Sequence, residues 1–245
     1  MEIRILGAGS GMPAKDLNSS SVLVHSEGQS FLLDGGDGCA QSLVKLGLEP
    51  DILSAVIITH YHPDHVGGVL LLIQMLYLRG RKRVLPLYLP EREGEFADFL
   101  CMFYTFPQKF DFELQLKPMT SLSEDFPKLR YILNDHLQGY GEIIRKNAFK
   151  NLQRAFSIRI NSAAGDFVYS SDISTTDSIS GFVEGAHTLL LDACHPSAGQ
   201  VLKMGTKGLK RILLTHNPSE GVRQALINTP NELFEEAREG RIYRI

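Results

Sequence analysis

The sequence has 245 residues, of which 43% are hydrophobic and 22% are charged, and its formal net charge is −3. These values are ordinary for a globular protein, and they exclude a chain-wide basic field that would attract nucleic acid. The length suffices to bury a sizeable core. Because no linker, repeat or low-complexity segment marks a boundary, we predict a single domain over residues 1–245.

The cysteines and the apolar segments bear on the compartment. Cys39, Cys101 and Cys194 are far apart and form no C-x-x-C pair, which is typical of a reducing compartment. Residues 1–6 have the pattern of a strand rather than of a signal peptide. The longest apolar stretch, residues 66–78, is too short to span a bilayer. We therefore predict a soluble, cytoplasmic protein without a membrane partner.

Short runs rich in Val, Ile and Leu predict the first strands at residues 3–6, 21–25, 30–33 and 55–59. Apolar residues at helical spacing predict helices over residues 38–46, 66–78 and 93–105. Further strands are predicted at residues 110–116, 129–133, 156–160, 167–170, 188–191 and 211–215, with helices between and after the later ones. Clustered strands followed by alternating strands and helices predict two mixed sheets covered by outer helices.

Two other segments each have a structural and a functional interpretation. The basic run Arg79, Arg81, Lys82 and Arg83 is interpreted as the solvated end of a helix, with phosphate binding as the alternative. The aromatic run at residues 99–106 is interpreted as a buried helix face, with a base-stacking pocket as the alternative.

The segment IITHYHPDHVGG, residues 57–68, holds four candidate metal ligands within six residues. A turn that leaves a buried strand projects alternate side chains, here His60 and His62, into one site. If the chain then enters a helix, Asp64 and His65 project toward a neighbouring point. Imidazole nitrogens and a carboxylate suit Zn²⁺, and also Mn²⁺ or Fe²⁺. Three of the eight histidines lie in this segment beside an aspartate, which argues against a chance surface cluster.

This segment resembles the H-x-H-x-D-H signature of metallo-β-lactamase-fold hydrolases. Residues 1–13, MEIRILGAGSGMP, resemble the opening strand and glycine-rich loop of the ribonuclease Z-like branch, and residues 31–38, FLLDGGDG, resemble its second motif. The resemblance implies a mixed α/β (α+β) chain folded as a four-layer αββα sandwich, the metallo-β-lactamase fold. It also implies that Asp34 supports the metal-binding loop.

Two later motifs resemble the same branch. Residues 167–172, FVYSSD, resemble the strand-terminal motif whose aspartate, here Asp172, bridges two metals. Residues 211–218, RILLTHNP, resemble the motif whose histidine, here His216, completes the second metal. Taken alone, Asp172 has the ordinary interpretation of a helix N-cap or turn residue.

The third histidine of the first metal has one candidate. His136 is the only histidine between the H-x-H-x-D-H segment and Asp172, with a surface-loop histidine as the alternative interpretation. The gap that follows predicts an insertion over residues 138–153. The resemblance implies two divalent ions, zinc first and Mn or Fe as alternatives, bound by His60, His62, Asp64, His65, His136, Asp172 and His216.

The sequence departs from the ribonuclease Z pattern in two places. Asp192 stands where that branch has a histidine, and His195 follows three residues later. His195 has two interpretations, a catalytic proton donor to the leaving group or a strand-capping surface histidine. The region between residues 105 and 130 is too short for the arm with which that branch grips tRNA, which argues against tRNA as a partner.

The resemblance implies a metal-dependent hydrolase in which Asp64 also orients the attacking water. Flavodiiron members of the superfamily have Glu at the position of His62, so hydrolysis is favoured over redox chemistry. We predict a phosphodiesterase acting on a small or cyclic phosphodiester. The alternatives are a thioester or lactone hydrolase of the same fold and a non-catalytic metal-binding module. Dimers are frequent among resembling proteins, so a homodimer is compatible with this assignment.

Overall fold

The computed structural model describes residues 1–245. The chain divides into two compact units, the first made of Met1–Ser121 with Arg238–Arg244 and the second made of Leu122–Ala237 with Ile245. Each unit contains one β-sheet. The prediction of a single domain over residues 1–245 stays a prediction.

Thirteen strands and eight α-helices make up the regular structure. The strands are β1 Glu2–Gly7, β2 Ser21–Ser26, β3 Gln29–Leu33, β4 Ala55–Ile57, β5 Leu85–Leu89, β6 Leu114–Pro118, β7 Leu129–Leu133, β8 Phe156–Ile160, β9 Phe167–Tyr169, β10 Thr188–Asp192, β11 Arg211–Thr215, β12 Phe234–Glu236 and β13 Ile242–Arg244. The helices are α1 Cys39–Lys45, α2 Pro63–Val66, α3 Val69–Leu78, α4 Glu93–Met102, α5 Leu122–Asp125, α6 Gly141–Asn147, α7 Ala198–Lys203 and α8 Glu220–Asn228.

The first unit contains a seven-stranded sheet in the order β13-β1-β2-β3-β4-β5-β6. Strands β13, β1, β2 and β3 pair antiparallel, whereas β3 to β6 pair parallel. Leu32 and Val56 of the sheet belong to one buried cluster with Leu43 of α1 and Leu72 of α3. Because β3 and β4 are parallel neighbours, the residues that follow their carboxyl ends meet at one edge of this sheet.

The second unit contains a six-stranded sheet in the order β12-β11-β10-β9-β8-β7. Strands β9 to β12 are parallel, and β8 pairs antiparallel with both β7 and β9. Leu189 and Ile212 of the sheet share a buried cluster with Val201 of α7 and Val222 of α8. The carboxyl ends of β9, β10 and β11 therefore lie side by side, and a functional residue that follows each of them is brought to the same edge.

Most predicted strands are present, and the differences have local causes. The strand predicted at residues 110–116 begins only at Leu114, because Pro107–Lys109 forms a 3-10 turn and a bend follows it. Strands β5, β12 and β13 were not predicted, since β5 contains a proline and the other two have three residues each. None of the helices combines the length and apolar character that a membrane span requires.

The interpretation of the aromatic run as a buried helix face is wrong for most of its residues. Helix α4 ends at Met102, and its buried side chains are Phe96 and Leu100. Phe99 and Phe103 are exposed, at 40% and 52% of their surface. Phe99 lies on α4 and Phe103 directly follows the helix, and their rings, 4.9 Å apart between centroids, are both exposed to solvent.

The interpretation of the basic run as a solvated helix end is wrong for Arg81. Its side chain is fully buried, although it lies only three residues after the end of α3. The guanidinium donates hydrogen bonds to the carbonyl oxygens of Arg83, Pro50, Leu53 and Val84 at 2.6–2.8 Å. Burial lowers the pKa of Arg81 to about 10, so the side chain stays charged at neutral pH. Arg81 therefore joins the chain around β4 to the start of β5.

We expect Arg81→Ala to lower the free energy of unfolding by at least about 3 kcal/mol, because buried carbonyl groups lose their donor at about 1–3 kcal/mol each. Urea denaturation followed by circular dichroism measures this change. The matched surface control is Arg83→Ala, which removes one exposed guanidinium contact to the carbonyl oxygen of Asp51. A loss of less than about 1 kcal/mol for Arg81→Ala, equal to that of the control, contradicts the structural role.

Candidate metal centre

Four of the predicted ligands lie together in the first unit, on the loop after β4 and the first turn of α2. His60, Asp64 and His65 are buried, and His62 is half-buried. The imidazole ring of His60 lies 4.7 Å from that of His62 and 4.1 Å from that of His65, between centroids. The Nε2 atom of His65 lies 3.6 Å from Oδ2 of Asp64. The structure thus gathers these four side chains as the spacing predicts.

Asp34, at the carboxyl end of β3, fixes this loop from the neighbouring strand. Its carboxylate is fully buried and accepts hydrogen bonds from the backbone N–H and the hydroxyl of Thr59, at 2.8 and 3.0 Å. Its Oδ2 lies 2.8 Å from Nδ1 of His65. A carboxylate on Nδ1 sets the tautomer and orientation of a histidine, which directs Nε2 toward a metal. This arrangement agrees with the supporting role that the resemblance implies for Asp34.

Thr59 is a site residue that the sequence reasoning missed. Besides its bonds to Asp34, its hydroxyl lies 3.1 Å from Nδ1 of His60. The hydroxyl therefore orients His60 as Asp34 orients His65. Its position directly before the first motif histidine was the available signal.

Glycines allow the metal-binding loop to pack against the loop after β3. The amide of Gly35 donates to the carbonyl of His65, and the amide of Gly68 donates to the carbonyl of Gly35, both at 2.8 Å. A Cβ atom on Gly36 would lie 2.2 Å from the carbonyl oxygen of Asp64. No side chain fits in that space, so Gly36 of the second motif is required by backbone contact.

The second unit brings together the other three predicted ligands. Oδ2 of Asp172 lies 3.5 Å from Nε2 of His136 and 3.4 Å from Nε2 of His216. These separations exceed ordinary hydrogen-bond length. Two ligand atoms bound at 2.0–2.2 Å to a tetrahedral cation lie roughly 3.4 Å apart, so the spacing and the donor types both fit a divalent metal such as Zn²⁺.

Strained backbone accompanies two of these ligands. Ser171, next to Asp172, has a φ of 52°, and His216 has a φ of 65°. Asp34 in the first unit has a φ of 59°. Left-handed backbone is uncommon in residues other than glycine and tends to occur where a site requires a side chain in a particular place.

Asp192 and His195 form a hydrogen-bonded pair beside Asp172. The carboxylate of Asp192 is fully buried, accepts backbone N–H bonds from Ile173 and Cys194 at 3.1 and 2.8 Å, and lies 2.8 Å from Nδ1 of His195. Burial alone would raise the pKa of Asp192, but its interactions with His195 and His216 hold the pKa below the ordinary value. The same hydrogen bond raises the pKa of His195.

His195 is exposed just after β10, and its ring also lies close to two of the candidate ligands. Its ring lies 4.8 Å from that of His136 and 5.0 Å from that of His216, between centroids. Its side chain keeps 37% of its surface exposed. An oriented, partly accessible imidazole among the candidate ligands is suited to exchange a proton with a bound molecule. Asp192, which the sequence reasoning noted only as a departure, is the residue that orients it.

Comparisons of the sequence support the fold and the branch. The family model of the anti-Pycsar protein Apyc1 matches residues 1–95. The ribonuclease Z of Methanosarcina acetivorans is 32% identical over 119 residues, which are 48% of this chain and 39% of that protein. The match therefore spans well under half of the relative's length.

Two solved structures are similar along the whole chain. The metallo-β-lactamase fold protein YhfI from Bacillus subtilis is 22% identical with a TM-score of 0.72, covering 99% of both chains. A diphosphatase of the PhnP family is 17% identical with a TM-score of 0.73, covering 100% of this chain and 97% of that one. The chain therefore has the metallo-β-lactamase fold, which confirms the predicted mixed α/β class. Within this fold, its sequence is similar to the ribonuclease Z branch, which confirms the resemblance inferred from the motifs.

Proposed function

We propose that the protein is a metal-dependent hydrolase with a dinuclear centre. The observation that carries the proposal is the spacing of 3.4–3.5 Å from Oδ2 of Asp172 to Nε2 of His136 and to Nε2 of His216, because each pair is spaced as two ligands of a shared cation are. The four-residue cluster of the first unit supplies four further donors of the same chemistry. That both sets serve one centre is inferred from the order of the motifs and from the resemblance. The proposed ligands are His60, His62, Asp64, His65, His136, Asp172 and His216.

The proposed substrate class is a small or cyclic phosphodiester. The relatives named ribonuclease Z and diphosphatase both have names that denote cleavage at phosphorus, and neither name denotes a thioester or lactone hydrolase. The chain has no net basic excess with which to hold a long polyanion. Because the similarity to ribonuclease Z weakens the expectation that tRNA is not a partner, a precursor tRNA belongs among the substrates to be tested.

The proposed chemistry divides among three side chains. When bound, two divalent cations supply Lewis acidity that lowers the pKa of water and stabilises charge on a phosphoryl oxygen. Asp64, proposed as a ligand, also accepts a hydrogen bond from the attacking water and so aims it at phosphorus. His195 donates a proton to the leaving oxygen, and Asp192 holds its imidazole in the required orientation.

The test is hydrolysis of bis(p-nitrophenyl) phosphate by metal-free protein that has been reloaded separately with Zn²⁺ and Mn²⁺. We expect metal-dependent turnover that falls by at least about a hundredfold in His60→Ala. Removal of a residue that only hydrogen-bonds to a metal ligand usually costs about 10–100-fold in activity, and removal of the ligand itself is expected to cost more. The matched control is His25→Ala, which removes an exposed histidine on β2.

Metal-loaded protein that shows no turnover, or equal turnover in both variants, overturns the phosphodiesterase proposal. A parallel screen of cyclic nucleotides, a thioester, a lactone and a precursor tRNA then assigns the substrate class. Turnover of the thioester or lactone alone selects the alternative hydrolase. Metal binding without turnover of any of these substrates selects the non-catalytic metal-binding module.

A further inference from the structure

His136 and Asp172 follow strands that are not neighbours. His136 comes shortly after β7 and Asp172 shortly after β9, and β8 lies between these two strands in the sheet. The ladder of backbone hydrogen bonds therefore does not join the two ligand-bearing segments directly. Something other than strand pairing must set the separation of the two ligands.

The residue just before His136 makes this connection with its side chain. Oδ1 of Asp135 accepts hydrogen bonds from the backbone N–H groups of Ser174 and Thr175, at 2.8 and 3.3 Å. Oδ2 accepts a hydrogen bond from the hydroxyl of Thr175. The carbonyl of Asp135 accepts from the hydroxyl of Ser174 at 3.3 Å. Four hydrogen bonds thus join the residue before one ligand to the segment that follows the other.

Asn134 anchors the same segment to the sheet. Its side-chain oxygen accepts from the backbone N–H of His136 at 3.1 Å. Its amide nitrogen donates to the hydroxyl of Ser157 on β8 at 3.1 Å and lies 3.4 Å from the carbonyl of Ser170. Asn134 is 5% exposed, so these bonds are shielded from water. Asp135 therefore lies between two residues, Asn134 and His136, that are hydrogen-bonded to each other, and Asn134 is also hydrogen-bonded to the sheet.

We propose that Asp135 is a positioning residue that sets the distance between His136 and Asp172 for metal binding. The inference rests on the proposed dinuclear centre, and it assigns to Asp135 no contact with substrate. Its physical basis is preorganisation: two ligands held 3.5 Å apart before the cation arrives need no reordering when it binds. This role depends on the position of the hydrogen-bonding atoms of the Asp135 side chain and not on its negative charge.

The experiment is a Zn²⁺ titration of metal-free protein against a chromophoric chelator, with three variants. Asp135→Ala removes all side-chain bonds, and we expect the affinity for one of the two Zn²⁺ ions to fall by about 10–100-fold. Asp135→Asn keeps an acceptor for the two amides and places a donor against the Thr175 hydroxyl, so we expect an affinity within about threefold of the wild type. Thr175→Val, which removes only one hydroxyl, is expected to lie between them.

The matched control is Asp177→Ala. Asp177 lies two residues beyond Thr175, is 72% exposed and pairs only on the surface with Lys203. We expect its Zn²⁺ affinity and stoichiometry to equal those of the wild type. The visible spectrum of Co²⁺-loaded protein gives a second readout, because a displaced ligand changes coordination geometry at the affected ion.

Three results overturn the inference: wild-type affinity in Asp135→Ala, loss in Asp135→Asn as large as in Asp135→Ala, or equal loss in the Asp177→Ala control. If Asp135→Ala does not fold, Thr175→Val takes its place, and either wild-type affinity in Thr175→Val or a loss in Asp135→Asn as large as that in Thr175→Val overturns the inference. Hydrolysis of bis(p-nitrophenyl) phosphate is measured separately. Wild-type protein that binds two Zn²⁺ ions without turnover rejects the proposed activity while the titration still tests the role of Asp135.

Discussion

Asp172→Ala is expected to lower kcat/KM for bis(p-nitrophenyl) phosphate by at least about four orders of magnitude, which is roughly 5 kcal/mol of transition-state stabilisation. The reason lies in the position of its carboxylate in the second unit. Oδ2 of Asp172 faces nitrogens of both His136 and His216, so it is the shared member of that donor set. The resemblance assigns Asp172 to both cations, and its removal is then expected to weaken both.

The measurements are steady-state kinetics and the Zn²⁺ stoichiometry of each purified variant. We expect Asp172→Ala to bind fewer than two Zn²⁺ ions per chain, whereas Asp166→Ala, which removes the partner of Arg159, is expected to bind as many as the wild type. The thermal midpoint of the metal-free proteins shows whether the fold is intact. Full stoichiometry with full activity in Asp172→Ala contradicts the bridging role.

The second large effect is expected for His195→Ala and depends on the leaving group. For a substrate with a poorly acidic leaving group, such as the ribose hydroxyl of a cyclic nucleotide, we expect kcat to fall by about 10²–10⁴-fold. For bis(p-nitrophenyl) phosphate we expect a loss below about tenfold, because nitrophenolate departs without a proton from the protein. Asp192→Asn is expected to act in the same direction, since it weakens the hydrogen bond that orients the imidazole.

This contrast separates proton donation from metal binding. Loss of a ligand slows both substrates alike, whereas loss of a proton donor slows mainly the substrate that needs the proton. His195→Ala is expected to retain two Zn²⁺ ions, as is the control His187→Ala just before β10. Equal losses on the two substrates, together with reduced Zn²⁺ content, would identify His195 as a ligand instead.

The sequence predicts those parts of the fold and the site whose pattern lies within a few consecutive residues. The segment from His60 to His65 carries its ligands within six residues, and the strands at residues 129–133, 156–160 and 211–215 have the predicted bounds. Asp34 was identified through a motif, and its bonds to Thr59 and His65 agree with the role that the motif implies.

The remaining features depend on contacts between residues that are distant in the chain. The sequence shows Arg81 only as part of a basic run, whereas the structure shows that it donates hydrogen bonds to the carbonyl oxygens of Pro50 and Leu53. The sequence shows Asp135 only as a polar residue after a predicted strand, whereas the structure shows that its carboxylate accepts hydrogen bonds from Ser174 and Thr175. Neither set of hydrogen bonds can be predicted from composition or periodicity, because hydrogen bonds between residues 28 to 40 positions apart leave no pattern in a single sequence.

Strand β13 pairs with β1, so the sheet of the first unit contains both the earliest and one of the latest segments of this chain. Arg244 lies opposite Glu2 in that ladder and also forms an ion pair with it at 2.9 Å. During synthesis on the ribosome, one edge of β1 therefore stays unpaired while more than two hundred intervening residues are made. An open edge offers unpaired amide and carbonyl groups to other nascent chains. Pairing with residues 242–244 covers this edge of β1, and the three-residue strand β13 then forms the edge of the sheet.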